Sequence, residues 1–393
     1  MHIVFVTIDF VEDNGPTSGL PKYLLRVSKS LIGFGHKVSI ITCSNRTVSY
    51  EFYGISVYRV RRPAIKKYGN QRDDTMARNL RDGLILKDKL DELCQKEKID
   101  IVQYTSLAGL AYFRNPYVPS VTRLSSYSKM LTLDGREEEK EVRAELERIA
   151  ALKCDSVFGP SKVVAEEFSK DIGKSVEVIE SPFVMDDEQD DISVYQNKFL
   201  NKKYILFYGS LIKFKGLNVI ADGVYRILSE HSQLYLGIIG DGEIELVKKV
   251  KIEAKEYSER VIYNPAIGFS TLKPIIRNSQ AVILPSLMEN LSNACIESMA
   301  LGKIVIGTRG ASFDQLIDDG ESGFLCEIGD AGSLCDAINK ALELSEEDRC
   351  CMQEKALNRA QMFSPDVVVK QLVGYYERVI NNYKQNNKNK LHP

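Results

Sequence analysis

The sequence predicts an α/β chain built from two doubly wound parallel sheets, and three observations carry that prediction. Through residues 1–181, short apolar runs bounded by turn residues alternate with amphipathic segments of helical spacing. Buried parallel strands joined by crossover helices leave this pattern in a sequence. Residues 181–203, polar, acidic and containing Pro182, then break the rhythm, which marks a boundary. Beyond it the same rhythm restarts, and 393 residues suit two such domains better than one.

In the first half, residues 3–8 (IVFVTI) read as a buried strand and 20–35 as a helix stopped by Gly33 and Gly35. Strands follow at 36–43 and 55–60, then a long amphipathic helix at 75–96. Strands at 101–104 and 119–124 flank a short helix. A charged helix over 136–154 leads to a strand at 155–159, and a helix from Ser161 and a strand at 176–180 close this half. In the second half, strands are expected at 204–209, 234–240, 260–264, 281–285 and 303–308. Helices are expected at 216–230, 243–256, 271–278, 292–302, 331–344 and 347–361, with a last one from 366 to about 382. The expected division is therefore a Rossmann-like domain over 1–181, a second over 182–364, a C-terminal helix over 365–383 and a disordered polar tail over 384–393. Ligands of such sheets bind beyond the carboxyl ends of the strands, which makes the cleft between two such domains the expected active site.

Composition narrows the chemistry. A net charge of −2 gives no reason to expect a nucleic-acid partner. The eight cysteines include no CxxC pair and read as thiols of a reducing compartment. The chain opens directly on a strand rather than a secretory leader, and no apolar run is long enough to span a bilayer; a cytoplasmic protein is expected. Only His2, His36, His231 and His392 are present, none in a metal-ligand pattern, so neither a metal site nor a serine–histidine triad is expected. The chemistry then falls to carboxylates, lysines, arginines and backbone amides.

Residues 284–302, LPSLMENLSNACIESMALG, are the most informative stretch. Glu289 lies in the loop after a strand and Glu297 on the following helix, with Asn290, Leu291 and Ser292 leading into that helix. Free amides and the positive dipole end of a helix suit a phosphate, and carboxylates accept well from vicinal sugar hydroxyls. A capped helix with two solvated glutamates is the plain alternative. In YGSLIKFKG (208–216), Gly209, Ser210, Lys213 and Lys215 crowd a strand-to-helix turn that suits a diphosphate, or else simply carries two surface lysines. Gly15 and Gly19 lie in the first strand-to-helix turn, where glycine permits close backbone approach, although a GxGxxG fingerprint is absent. The GDGE turn at 240–243, starting at Gly240, could seat a base or ribose or be a simple turn. Arg59, Arg61, Arg62, Lys66, Lys67, Arg72, Arg78 and Arg81, interrupted by Asp73 and Asp74, suit either peripheral contact with an anionic membrane or acceptor, or a solvated basic face.

Together these segments resemble the retaining glycosyltransferases of the GT-B fold, in glycosyltransferase family 4. The resemblance covers nearly the whole chain: GLPKYLLRVSKSLIGFGHKV, FYGSLIKFKG, IIGDGE, AVILPSLMENLSNACIESMALGKIVIGT and LIDDGESGFL. The pair Glu289 and Glu297, separated by seven residues, matches the family's pair. The resemblance implies a nucleoside diphosphate sugar as donor substrate, uridine favoured and guanosine possible. No tightly bound cofactor and no metal are implied. The acceptor would be a carbohydrate, small-molecule or lipid-linked hydroxyl bound by the first domain, in polysaccharide or glycoconjugate synthesis, with association with the inner membrane face an option. It implies that Glu297 binds the ribose, Glu289 the donor sugar and Lys215 the donor phosphates. Asn290, Leu291 and Ser292 would line diphosphate and sugar, Gly19 would approach the diphosphate, and the last helix would pack on the first domain. Two positions depart from the pattern: Ser210 where many relatives carry arginine, for which Lys213 could substitute, and Arg123 where many carry histidine. Arg123 is expected in the active site, holding negative charge or acceptor, since arginine is a poor base at neutral pH. The competing readings are a non-catalytic nucleotide-sugar-binding protein, an epimerase and a sugar phosphorylase of similar architecture.

Overall fold

The computed structural model describes residues 1–11, 19–130, 136–185 and 188–391. The chain divides into two compact units: Met1–Pro182 with Pro365–Pro393, and Phe183–Ser364.

The first unit contains β1 (His2–Thr7), α1 (Gly19–Gly33), β2 (Lys37–Ser44), β3 (Val48–Phe52), β4 (Ile55–Arg61), α2 (Gln71–Lys96), β5 (Ile101–Thr105), β6 (Ser120–Arg123), α3 (Glu137–Lys153), β7 (Ser156–Gly159), α4 (Lys162–Ile172) and β8 (Glu177–Val178). They form one sheet in the order β3-β4-β2-β1-β5-β6-β7-β8. Every neighbouring pair is parallel except β3 with β4. Residues of β1 alternate between two cores, as the period-two geometry of a strand requires. Ile3 and Phe5 pack with Leu24, Val27 and Leu31 of α1, whereas Val4 and Val6 pack with Leu86 and Leu90 of α2. Both faces are covered, so β1 has no polar side to show and reads as a continuous apolar run.

The second unit contains β9 (Lys203–Tyr208), α5 (Leu217–Glu230), β10 (Leu234–Ile239), α6 (Ile244–Glu253), β11 (Val261–Asn264), α7 (Phe269–Asn278), β12 (Ala281–Leu284), α8 (Asn293–Ala300), β13 (Val305–Thr308), β14 (Phe324–Cys326), α9 (Ala331–Glu343) and α10 (Glu346–Gln361). Its sheet runs β11-β10-β9-β12-β13-β14, parallel throughout. Ile205 and Phe207 of β9 face α5, α6 and α9, while Tyr204, Leu206 and Tyr208 face α7, α8 and α10.

The last helix, α11 (Pro365–Leu391), belongs to the first unit. Val368, Val369, Leu372, Tyr375, Tyr376, Val379 and Ile380 repeat at helical spacing and join the core containing Ile3, Phe5 and Leu24.

Several expectations need correction. The helix does not stop near 383 with a disordered tail from 384: it continues to Leu391, while 392–393 lie outside the described residues. A polar run without apolar periodicity still completes helical hydrogen bonds when a packed helix precedes it. The edge strand β3 was not expected. Its five residues alternate between exposed and half-buried, and a turn at Tyr53 and Gly54, both at positive φ, folds it back antiparallel on β4. The three-residue β14 also escaped sequence reading, and the strand expected at 176–180 forms ladder pairing only over Glu177–Val178.

Candidate functional site

In the second sheet β9 is followed in sequence by β10 on one side, and β12 then forms on its other side. The order reverses between β9 and β12, and a doubly wound sheet opens its ligand crevice at the carboxyl ends of such strands. The turns leaving these two strands carry most of the expected site residues.

After β9, Gly209 has φ 140° and donates to the Ile239 carbonyl at 3.0 Å. Gly240, after β10, has φ 156°, and a Cβ there would fall 1.8 Å from the Gly209 carbonyl oxygen. The two backbones are therefore in contact, and only glycine fits. Ser210 and Lys213 are exposed beside them. Leu211 exchanges backbone hydrogen bonds with residues 241–243, donating to Asp241 at 2.8 Å and accepting from Glu243 at 2.7 Å. The GDGE turn thus braces the loop after β9, and Asp241 accepts from the Ala266 N–H at 3.0 Å.

Lys213–Lys215 make one turn of 3₁₀ helix, which places Lys215 against Glu289 from the β12 loop in a hydrogen-bonded ion pair. The Glu289 side chain is 14% exposed and that of Lys215 29%. The pair is held by backbone on both sides. Leu287 N–H donates to the Phe214 carbonyl at 2.8 Å, and the Ser312 hydroxyl donates to the Glu289 carbonyl at 2.8 Å.

Ser292 is buried and caps α8, its hydroxyl accepting from Cys295 N–H at 3.3 Å. Helix α8 begins at Asn293, later than the sequence suggests, so Glu297 stands in its second turn. Asn290 and Leu291 are half-buried between Glu289 and the cap. Behind the helix, buried Tyr208 donates its hydroxyl to the Ala294 carbonyl at 2.7 Å and lies 3.0 Å from Ser298 Oγ. Its phenol is pushed well above its ordinary range, first by burial and then by the charge of Glu297. Gly209, Lys215, Gly240, Glu289 and Ser292 thus stand in neighbouring turns, Leu291 lies between Glu289 and the cap, and Glu297 is on α8 behind it. Ser210, Lys213 and Asn290 flank these turns.

Sequence reading missed Tyr208 and Ser312. Tyr208 is the last residue of a strand and looks like core. Ser312, at φ 64°, stands in the turn after β13, and a small polar residue following Gly310 was the available signal.

In the first unit, Arg123 ends β6 and is 4% exposed. Its guanidinium carbon sits 3.6 Å from the ring centroid of Tyr23, with Nη2 donating to Ser181 at 2.9 Å and Nη1 to Ser125 at 3.4 Å. Among the described residues its Nε has no hydrogen-bond partner. Burial lowers its pKa. Gly19 begins α1, and among the described residues a Cβ there would meet no atom within 4 Å. Gly15 lies outside the described residues.

The expected basic cluster is not one face. Arg59 is buried, reaching the Val11 carbonyl at 2.7 Å, and Arg62 and Arg81 both grip Asp82. Asp73 and Asp74 accept backbone or side-chain hydrogen bonds at the start of α2. Among the described residues no helix is long and apolar enough to cross a membrane.

Residues 17–183 match the model of Glycosyltransferase Family 4, and residues 188–359 match that of Glycosyl transferases group 1, so the two models together account for most of the chain. The chain belongs to the group 1, family 4 glycosyltransferases. This glycosyltransferase is 28% identical over 189 residues to the D-inositol 3-phosphate glycosyltransferase of Corynebacterium jeikeium, an alignment covering 45% of this chain and 44% of that one. It superimposes on sucrose-phosphate synthase from Thermosynechococcus elongatus with a TM-score of 0.76 and 16% identity, over 97% of this chain and 99% of that one. It superimposes on Anabaena Alr3699/HepE, solved in complex with UDP and glucose, with a TM-score of 0.70 and 16% identity, over 96% and 100%. The glycosyltransferase fold is therefore GT-B.

Proposed function

We propose that this enzyme moves a sugar from a nucleoside diphosphate sugar, uridine favoured, to an acceptor hydroxyl with retention of anomeric configuration. The observation that carries the reading is the Lys215–Glu289 pair at the sheet's reversal point, beside the Ser292-capped start of α8. A cation and free helix amides together suit a leaving diphosphate. A carboxylate held at 14% exposure suits the hydroxyls of a sugar. The complex of Alr3699/HepE with UDP and glucose supports a uridine nucleotide on this fold.

In this mechanism the bond between the anomeric carbon and the diphosphate oxygen breaks, and the acceptor oxygen bonds to that carbon on the same face. The acceptor proton passes to the departing phosphate oxygen. Lys215, Ser292 and the amides around Asn290 and Leu291 take up the charge that collects on the diphosphate, with Lys213 beside Ser210 adding a second cation. Glu289 positions the sugar and is not a nucleophile. Glu297 binds the ribose hydroxyls, and no metal is required. Arg123 holds the first unit's strand end rather than moving a proton. A place in the cytoplasm or at the inner face of the membrane, and a part in polysaccharide or glycoconjugate assembly, fit this chemistry.

The test is calorimetric binding and slow hydrolysis of a panel of uridine, guanosine and adenosine diphosphate sugars. One preferred donor is expected, with binding lost in Glu297→Ala. A wild-type protein that binds none of the panel would refute the donor site.

A further inference from the structure

In the first sheet the strand order reverses between β1 and β5, because β2 lies on one side of β1 and β5 on the other. A pocket of about 350 Å³ opens at that point. Ile8, directly after β1, and Leu107 and Ala108, directly after β5, form its floor. The pocket therefore occupies the place where the topology of this sheet favours a ligand.

Its walls are basic. Arg62 follows β4, Arg78 and Arg81 project from α2, and Arg143 comes from α3. Asp82 is the acid in the lining, and it is already engaged by Arg62 Nε at 3.1 Å and Arg81 Nη2 at 2.7 Å. Arg143 pairs with Glu139 outside the lining. Among the described residues Arg78 donates only to a hydroxyl, Thr75 Oγ1 at 2.9 Å. Four guanidiniums thus face two carboxylates, among the described residues, which leaves an excess of two positive charges. The same wall holds the side-chain amide of Asn79, whose Nδ2 is buried and unpartnered. The floor is held in place: Ala108 and Gly109 both have φ 63°, and a Cβ on Gly109 would meet the Leu146 carbonyl oxygen at 2.7 Å, which pins the turn to α3.

We infer that this pocket binds the phosphomonoester group of an acceptor substrate. The word acceptor rests on the transferase reading; the anion site does not. A phosphomonoester carries about −1.5 to −2 charges at neutral pH and accepts from several donors at once, and arginine supplies paired donors in matching geometry. A neutral glycan has no group that would use this excess of positive charge among the described residues. Asp82 has a second role here, since its grip on Arg62 and Arg81 fixes both side chains before the anion arrives.

The experiment is calorimetric titration of inorganic phosphate, D-glucose 6-phosphate, succinate and D-glucose into the full chain. The variants are Arg78→Gln, Arg78→Gln with Arg143→Gln, and Lys215→Gln. Both phosphates are expected to bind and glucose not to bind. Affinity should fall about tenfold or more in the double variant, following the worth of one or two charge-assisted hydrogen bonds, and should persist in Lys215→Gln. Arg78 is in no ion pair among the described residues, so the single variant keeps the test open if the double variant misfolds. Phosphate binding no stronger than glucose, or binding lost in Lys215→Gln and kept in the arginine variants, would overturn the assignment. Succinate binding in place of the phosphates would overturn the phosphomonoester class. Phosphate binding together with a failed donor panel would remove the acceptor role and leave the anion site.

Discussion

Gly216 and Pro285 meet backbone to backbone: a Cβ added to Gly216 would lie 1.8 Å from the Pro285 carbonyl oxygen. Gly216 also has φ 80° and is the first cap of α5. The contact joins the turn that carries Lys215 to the turn that carries Glu289. Gly216→Ala is therefore expected to lose more stability than a helix cap is worth, on the order of 2 kcal/mol or more, and to lose most donor turnover. Chemical denaturation and donor hydrolysis measured together check it; an unchanged midpoint would mean the two turns are not locked by this contact.

Breaking the ion pair from either side should give different kinetics. Lys215→Gln removes the cation that the proposed mechanism sets against the diphosphate and is expected to lower kcat about a hundredfold or more. Glu289→Gln keeps a hydrogen-bonding amide where the proposed mechanism seats the sugar and should act less severely, with a larger share of the loss in KM. Steady-state constants for the preferred donor separate the two outcomes, and equal losses in both would argue that the pair serves only to hold the loop.

Tyr208→Phe tests the support behind α8. It removes the bond to the Ala294 carbonyl and the contact with Ser298, a cost of about 1 kcal/mol. A several-fold rise in donor KM with a nearly constant kcat is expected on the proposed mechanism, in which Glu297 binds the ribose. A selective fall in kcat would contradict that division.

Glu147 supplies a pH dependence. It is buried at 1% exposure on α3 and accepts from both the N–H and the hydroxyl of Ser128, at 2.9 and 2.7 Å. Burial raises its pKa from 4.5 to about 7, against the lowering effects of Ser128 and Arg143. A raised carboxyl pKa means the folded protein holds a proton that the unfolded chain has released, so stability falls as pH rises from about 4.5 to about 7. Glu147→Gln should flatten that part of the Tm-against-pH curve. A curve with the same slope in the variant would assign the dependence elsewhere.

Arg123→Lys separates a structural from a chemical role. Lysine keeps the charge but cannot cover the Tyr23 ring and reach Ser181 and Ser125 together. A stability loss of about 1–2 kcal/mol is expected. A Tm left unchanged beside a hundredfold loss of kcat would instead place Arg123 at the reacting atoms.

The fold was legible where burial is complete on both faces. β1, and β9 beyond its exposed first residue Lys203, announce themselves as apolar runs because their residues are buried. β3 was not legible because, as an edge strand, it alternates between half-buried and exposed residues. Of the candidate site, Glu289, Glu297 and Lys215 were picked out by residue type, and the structure brings Lys215 and Glu289 together. Arg62, Arg78 and Arg81 looked like one basic face until tertiary contacts showed Asp82 drawing two of them inward and Arg143, far along the chain, completing the pocket. Tyr208 was hidden for the opposite reason: a tyrosine at a strand end is ordinary core, and its partners on α8 are some ninety positions away.

Residues of α11 complete the core that begins at Ile3, and this fixes an order of events during synthesis. The ribosome delivers Phe183–Ser364 before it delivers that helix. The second unit can therefore close while the first still exposes the apolar face made by Phe5, Leu24 and Val27. A nascent chain halted at Ser364 would hold one finished sheet and one open one, the form most prone to aggregate or to recruit a chaperone.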